Sequence, residues 1–204
     1  MRLMLVLGVI WCTLPLQKIH GQGPLEGRWM VRHYGLSEGL PSNQVRAIHK
    51  DRQGMLWIGT GAGLCRFDGR SFEVVAGLPG EDIWSITEDA AGAIWFAMYG
   101  AGIGKIEGDV LLLMDTSDGI RSNWVRELYY SRDHDLLLLG TEQGMDVVRD
   151  TLIIPVRSAA ALSGAGGVIT DFETCGARIL VTSYNQGLLE YVPALSLLRP
   201  AQLP

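Results

Sequence analysis

Apart from its first two dozen residues, the chain is a series of short apolar runs divided by turn residues. The clearest set is Val45–Lys50, Met55–Gly59, Leu64–Phe67 and Ser71–Ala76, divided by "DRQG" (51–54), "TGAG" (60–63) and "DGR" (68–70). Runs of this length between aspartate- and glycine-rich turns predict β-strands joined by hairpins. No later stretch sustains a helical period. "VRELYY" (125–130) comes nearest, and its place in a repeating pattern assigns it to a strand. Val45 and Ile48 are three residues apart, so on a regular strand they point to opposite faces. Both being apolar predicts a strand buried on both sides.

The pattern recurs. "GLPSNQVRAIHKDRQGMLWIGTGAGLCRFDG" (39–69) is followed by "GLPGEDIWSITEDAAGAIWFAMYGAGIGKIEG" (77–108), which aligns Asp51 with Asp89, Gly54 with Gly92 and Trp57 with Trp95. A third copy spans Asp118–Asp150 and matches Gly59-Thr60 with Gly140-Thr141. It places Leu137 and His134 where the tryptophan and the turn glycine stood. A worn fourth copy spans Gly167–Tyr191. Four short strands in each unit of about 40 residues predict an all-β protein, a β-propeller of four-stranded antiparallel blades. The expected boundaries are a lead-in outer strand at 28–38 and blades at 39–76, 77–117, 118–158 and 164–200, the last degenerate. Outer-strand candidates outnumber sets of inner strands, with 28–34 the spare, so a partial propeller with open edges is expected. Such edges invite self-association or further blades.

The first residues read differently. Arg2 precedes the apolar run Leu3–Leu16, and small Gly21 stands just before Gln22. This is the pattern of a cleaved signal peptide over 1–22, and the run is shorter than the ~20 residues of a membrane-spanning helix. A periplasmic or extracellular location is therefore expected. Loss of Arg2 and Lys18 would take the formal charge from −5 to −7. That balance, with no basic stripe, argues against nucleic acid as a partner. Only Cys65 and Cys175 remain outside the leader, too few for a disulfide framework or a cysteine metal site.

The glycines of "GTGAG" (59–63) raise the question of a nucleotide loop. Their spacing is G-x-G-x-G, the loop leads into another strand, and the motif recurs one unit later. A dinucleotide loop needs G-x-G-x-x-G opening a helix, and no Gly-Lys-Ser/Thr is present for a phosphate loop. Neither cofactor nor metal is expected. His33, His49 and His134 have no recurring serine or aspartate partner, so no catalytic residue is assigned. Asp51 and Asp89 read as turn aspartates that accept backbone N–H bonds, and Trp57 and Trp95 as the rings filling the gap between blades.

Gly-Leu-Pro-Ser-Asn-x-Val, then Asp-x-x-Gly-x-Leu-Trp-Ile-Gly-Thr, then Gly-Leu-x-Arg-Phe-Asp-Gly closely resembles the two-component regulator propeller repeat. The resemblance is nearly complete in 39–69, good in 77–108 and weak in the fourth copy, and it extends over 28–191. It implies the extracytoplasmic sensor of a hybrid histidine kinase, often one controlling polysaccharide use, that binds a small molecule or oligosaccharide and passes the signal to a kinase phosphorelay. The signalling domain itself would lie outside this chain. "GAIWFAMYGAGIGKIEG" (92–108) is also similar to blades of streptogramin-lyase-like propeller enzymes, and a secreted interaction scaffold is a third reading.

Loops before each first strand and between second and third strands share one face of a propeller. Residues there that break the repeat are the binding candidates: Asn43, Gln44 and Arg46 in the first unit, Asp82, Trp84 and Tyr99 in the second. Asn123, Trp124 and Arg126 follow in the third, with Glu142 and Gln143 nearby, and Tyr184 and Asn185 in the fourth. Arg46, Trp84 and Arg126 hold one equivalent position. Aromatic rings beside amides, carboxylates and guanidinium groups suit sugars, which offer a C–H face and a set of hydroxyls.

Overall fold

A computed structural model describes residues 31–154, 156–159 and 167–201. The expected signal peptide and residues 28–30 of the expected lead-in strand lie outside them. Blade 1 is built from β1 (Val45–Lys50), β2 (Leu56–Thr60), β3 (Gly63–Phe67) and β4 (Phe72–Val74). Blade 2 comprises β5 (Ile83–Glu88), β6 (Ile94–Met98), β7 (Gly102–Glu107) and β8 (Val110–Met114). In blade 3 the strands are β9 (Val125–Ser131), β10 (Leu136–Thr141), β11 (Gly144–Arg149) and β12 (Leu152–Ile154). Blade 4 has β14 (Ile169–Cys175), β15 (Arg178–Ser183), β16 (Gly187–Val192) and β17 (Leu197–Pro200). Each blade is an antiparallel meander in chain order. The short β13 (Arg157–Ser158) adds to blade 4 by pairing in parallel with β17, so the third unit ends earlier than the expected 158. The all-β, partial-propeller reading holds.

Among residues 31–38 there is no strand; Leu36–Glu38 form a single 3-10 turn. The lead-in segment is therefore no outer strand where it is described. Tyr34 instead sets its ring edge-on to Phe67 and Phe72, 5.1 and 5.7 Å away, and closes the outer part of blade 1.

Adjacent blades pack through their first strands, β1 on β5, β5 on β9 and β9 on β14. Three apolar cores fill the gaps. Trp57, Leu64, Ile83, Ile94, Phe96 and Met98 lie between blades 1 and 2. Trp95, Ile103, Val125, Leu128, Leu137 and Leu139 lie between 2 and 3, and Leu138, Val147, Ile169, Phe172, Val181 and Tyr191 between 3 and 4. The tryptophans thus do fill the interblade space. In the third unit the register against Gly140 puts Leu138, not Leu137, at the tryptophan position, because the β9–β10 hairpin holds one residue more between equivalent positions.

Every first strand carries a β-bulge. The register steps from Val45 to Ala47, Ile83 to Ser85, Val125 to Glu127 and Ile169 to Asp171. The extra residue returns side chains three apart to one side of the strand. Ile83 and Ile86 consequently share a core, as do Val125 and Leu128, and Ile169 and Phe172. This corrects the expectation that Val45 and Ile48 face opposite ways.

The turn aspartates are built as read. Asp51 Oδ1 accepts from the Gln53 and Met55 amides at 2.9 Å, and its Oδ2 accepts the Trp57 indole N–H at 2.9 Å. Asp89 repeats this with Ala91, Ala93 and Trp95. One carboxylate thus fixes the hairpin and orients the interblade indole. Replacing Asp89→Ala leaves two amides and a buried indole N–H without their acceptor. Each lost net hydrogen bond is worth about 1 kcal/mol, so urea denaturation should show a loss of about 2–3 kcal/mol.

At the inner strands, the Ser85 hydroxyl donates to Glu127 Oε1 at 2.9 Å. Burial pushes the Glu127 carboxyl up from 4.5 to about 7 against the effect of that bond, with Asp171 adding to the rise. A carboxyl raised in the folded state binds more protons there than unfolded between pH 4.5 and 7, so stability falls as pH rises through that window. Glu127→Gln should remove this fall, on the order of 2 kcal/mol, from stability measured by urea titration between pH 4.5 and 7.5.

Candidate functional site

The bulged residues are Arg46, Trp84, Arg126 and Thr170. A bulge lifts its residue out of the pairing pattern and re-aims its side chain. Beside each one a backbone bond ties the second-to-third strand turn to the residue leading into the first strand. These bonds run from Gly61 N to Gln44 O, Tyr99 N to Asp82 O, Glu142 N to Trp124 O and Tyr184 N to Val168 O, at 2.8–3.1 Å. Three equivalent positions per blade therefore converge on the loop face, and in blades 1–3 they carry most of the candidate residues.

Trp84 and Tyr99 stack with ring centroids 4.4 Å apart and an interplanar angle of 19°. Trp124 meets Tyr99 edge-on at 4.7 Å. Arg46 and Arg126 lie over the Trp84 ring at 4.8 and 5.2 Å, and Arg126 is also 5.4 Å from the Tyr99 ring. Each guanidinium has an acid. Arg46 Nη2 donates to Asp82 Oδ2 at 3.2 Å, and the same oxygen accepts the Trp84 indole N–H at 2.8 Å. Arg126 Nη2 donates to Glu142 Oε1 at 2.7 Å, and the Tyr99 hydroxyl donates to that oxygen too. Arg126 Nε is buried with no hydrogen-bond partner among the described residues.

The phenol–carboxylate bond raises the Tyr99 pKa, and the bonds from Tyr99 and Arg126 lower that of Glu142. Trp124 is propped from below by Gly100, where an added Cβ would lie 3.3 Å from the indole. Gly100 also has a φ of +94°, so two constraints favour glycine there.

The structure thus unites Arg46, Asp82, Trp84, Tyr99, Trp124 and Arg126, with Glu142. Asn123 serves the scaffold: its carbonyl accepts from the Gly100 and Gly102 amides, and its side chain accepts from the Thr116 amide. Asn43 and Gln44 are exposed on the blade 1 rim, and Tyr184 and Asn185 on the blade 4 rim. Among the described residues, no ring contact or side-chain hydrogen bond joins these four to the cluster. The bulge itself was missed in the sequence; its trace is the three-residue spacing of apolar positions seen in all four units.

His49 and His134 sit elsewhere. His49, near the opposite end of β1, has Nε2 3.9 Å from Glu88, and His134 contacts Ser131 in the β9–β10 turn. Among the described residues no group of three or more His, Cys, Asp or Glu is placed to hold a metal ion. None of the described helices is long and apolar enough to cross a membrane.

Residues 39–62 and 77–100 match the family described as two component regulator propeller. These are the loop, bulged strand, aspartate hairpin and glycine turn of blades 1 and 2. Blades 1 and 2 thus each carry a match to that repeat.

Among solved structures, the extracellular domain assigned to the hybrid two component system BT3049 of B. thetaiotaomicron superposes with a TM-score of 0.71 at 18% identity. The alignment covers 84% of this chain and 26% of that one. The extracellular domain of BT4673 from the same organism gives 0.65 at 15% identity, covering 81% and 25%. Virginiamycin B lyase from Staphylococcus aureus gives 0.51 at 17% identity, covering 75% and 57%. This chain of propeller repeats spans about a quarter of the length of the first two. No curated protein matches it in sequence.

The ion pairs of the repeat face set a measurable property. In Arg126→Ala, Glu142 loses one of the two groups that lower its pKa, so its carboxyl should titrate at higher pH than in the parent protein, read by carbon-detected NMR of labelled glutamate. An unchanged titration would show that Tyr99 alone holds the carboxylate.

Proposed function

We propose that this chain is part of an extracytoplasmic ligand-sensing β-propeller from a two-component system, and that its loop face takes a carbohydrate. The observation that carries the ligand reading is Trp124. Its indole is 47% exposed and held at its edge by Tyr99 and from below by Gly100. A supported ring with an open surface suits the C–H face of a sugar. Arg46, Asp82, Arg126 and Glu142 offer donors and acceptors to hydroxyls around it. The repeat match and the extracellular propellers of hybrid systems among similar structures support the sensor reading. Residues 1–22 would then act as a secretion signal, and a kinase module elsewhere would supply the output. This segment would do no chemistry.

A lyase reading has the virginiamycin B lyase likeness in its favour. The separation of His49 and His134 from the aromatic cluster makes it the weaker reading.

Calorimetric titration with a panel of neutral and uronic-acid oligosaccharides tests the proposal. Binding in the micromolar range is expected. Trp124→Ala should weaken it at least tenfold, equivalent to about 1.4 kcal/mol, with Tyr184→Ala nearly neutral. Absence of binding across the panel, or equal loss in both variants, would overturn the assignment.

A further inference from the structure

Each arginine of the loop-face cluster is paired with one acid, and the two acids come from different places in the repeat. Asp82 leads into β5, at a position that holds Gln44, Trp124 and Val168 in the other blades. Glu142 lies in the turn after β10, at a position that holds Gly61, Tyr99 and Tyr184 elsewhere. The bond that recurs in all four blades uses only the backbone here, a carbonyl at the first position and an amide at the second. The fold therefore asks for no carboxylate at either. Stability asks for little more. These side chains are 30–36% exposed, and such pairs are worth about 0–1 kcal/mol.

Glu142 fills a carboxylate site. Its Oε1 accepts from Arg126 Nη2 at 2.7 Å and from the Tyr99 hydroxyl. A guanidinium and a phenol from neighbouring blades, converging on one oxygen, are the donors that would grip the carboxylate of an acidic ligand. The chain's own carboxylate is there instead. The same two bonds lower its pKa, so it is ionised at neutral pH. Asp82 likewise takes Arg46 and the Trp84 indole N–H. Two guanidinium groups and two carboxylates sum to no net charge. An entering anion would have to displace Glu142, exchanging one charge-assisted pair for another, or stand against it as a like charge. A hydroxyl meets neither cost, since it can donate to a carboxylate and accept from an N–H.

We propose that Glu142, supported by Asp82, restricts the loop-face site to uncharged ligands by occupying the carboxylate position that Arg126 and Tyr99 create. With the sugar site proposed above as its premise, this makes neutral saccharides the ligand class and uronic acids the excluded one.

Nuclear magnetic resonance titration with D-glucuronate, followed at the Trp124 indole, tests this in the parent protein and in Glu142→Ala. The parent should show no saturable binding up to about 100 mM, and Glu142→Ala should bind at least tenfold more tightly, with a Kd of about 1–10 mM. Glu142→Gln, which keeps the shape of the side chain, should gain in the same direction. Glu81→Ala, which removes an equal charge from an exposed position beside Asp82, should gain nothing. Adding Arg126→Ala to Glu142→Ala should abolish the gain. Equal behaviour of the parent and Glu142→Ala, bound or unbound, would overturn the proposal. So would an equal gain in Glu81→Ala, or one that survives the loss of Arg126. An acidic oligosaccharide bound by the parent more tightly than its neutral counterpart would overturn it too. The sugar reading fails on a different result, absence of oligosaccharide binding or of a Trp124→Ala effect, so the two failures are distinct.

Discussion

A branched side chain of one blade pressed onto a glycine or alanine of the blade before it is the contact on which this arc depends. Ile83 meets Gly59, and Ile169 meets Gly140, at distances that leave no room for a methyl group. Glycine inside a strand costs roughly 0.5–1 kcal/mol relative to alanine. Full burial of an isoleucine returns about 2 kcal/mol, so the exchange favours the glycine. Because each blade touches mainly its neighbours, stability is assembled pair by pair, as in other repeat folds.

The same strand that makes the contact also makes the loop-face cluster. The bulges after Ile83 and Val125 keep those side chains turned to the preceding blade, and together with the bulge after Val45 they release Trp84, Arg126 and Arg46 from the pairing pattern. Packing and recognition thus share a single irregularity. Residues at the bulge are free of the demand for a small or apolar side chain, so they can vary between units while the strands beneath repeat. That separation explains why Arg46, Trp84 and Arg126 differ in type yet meet in space.

Much of this was legible in the sequence because repetition converts weak local signals into a strong one. The turn chemistry of "DRQG", the recurring Asp51–Trp57 spacing and the shared Gly-Thr placed blades 1 and 2 directly, and residues breaking the repeat pointed to the cluster. Other features were not legible. A strand's default period of two sends Val45 and Ile48 to opposite faces, and the bulge that overrides it has no composition of its own. Leu137 aligns with the tryptophans by count alone because a hairpin lengthened by one residue leaves no local mark. Asn123 looked like a binding amide, but its carbonyl and side chain are taken up by Gly100, Gly102 and Thr116, partners that only the tertiary register brings near. The lead-in strand was assigned by analogy to outer strands, while Tyr34 found a better partner in Phe67 and Phe72.

Within the cluster the interactions divide the work unequally. Partly exposed ion pairs such as Arg46–Asp82 and Arg126–Glu142 are worth little on their own in water. Their main effect is geometric: paired guanidinium groups are held over Trp84, where a partly exposed cation over an indole adds about 0.5–1 kcal/mol. Trp84 is thereby spent on internal contacts, with Tyr99 stacked on its ring and two arginines over it. Tyr99 is occupied by Trp84, by the edge of Trp124 and by Glu142. Of the three rings, Trp124 alone combines a fixed orientation with a largely open surface, so the cluster behaves as a rigid pedestal for one indole. The balanced charges beneath it favour recognition by stacking and directed hydrogen bonds over attraction to net charge.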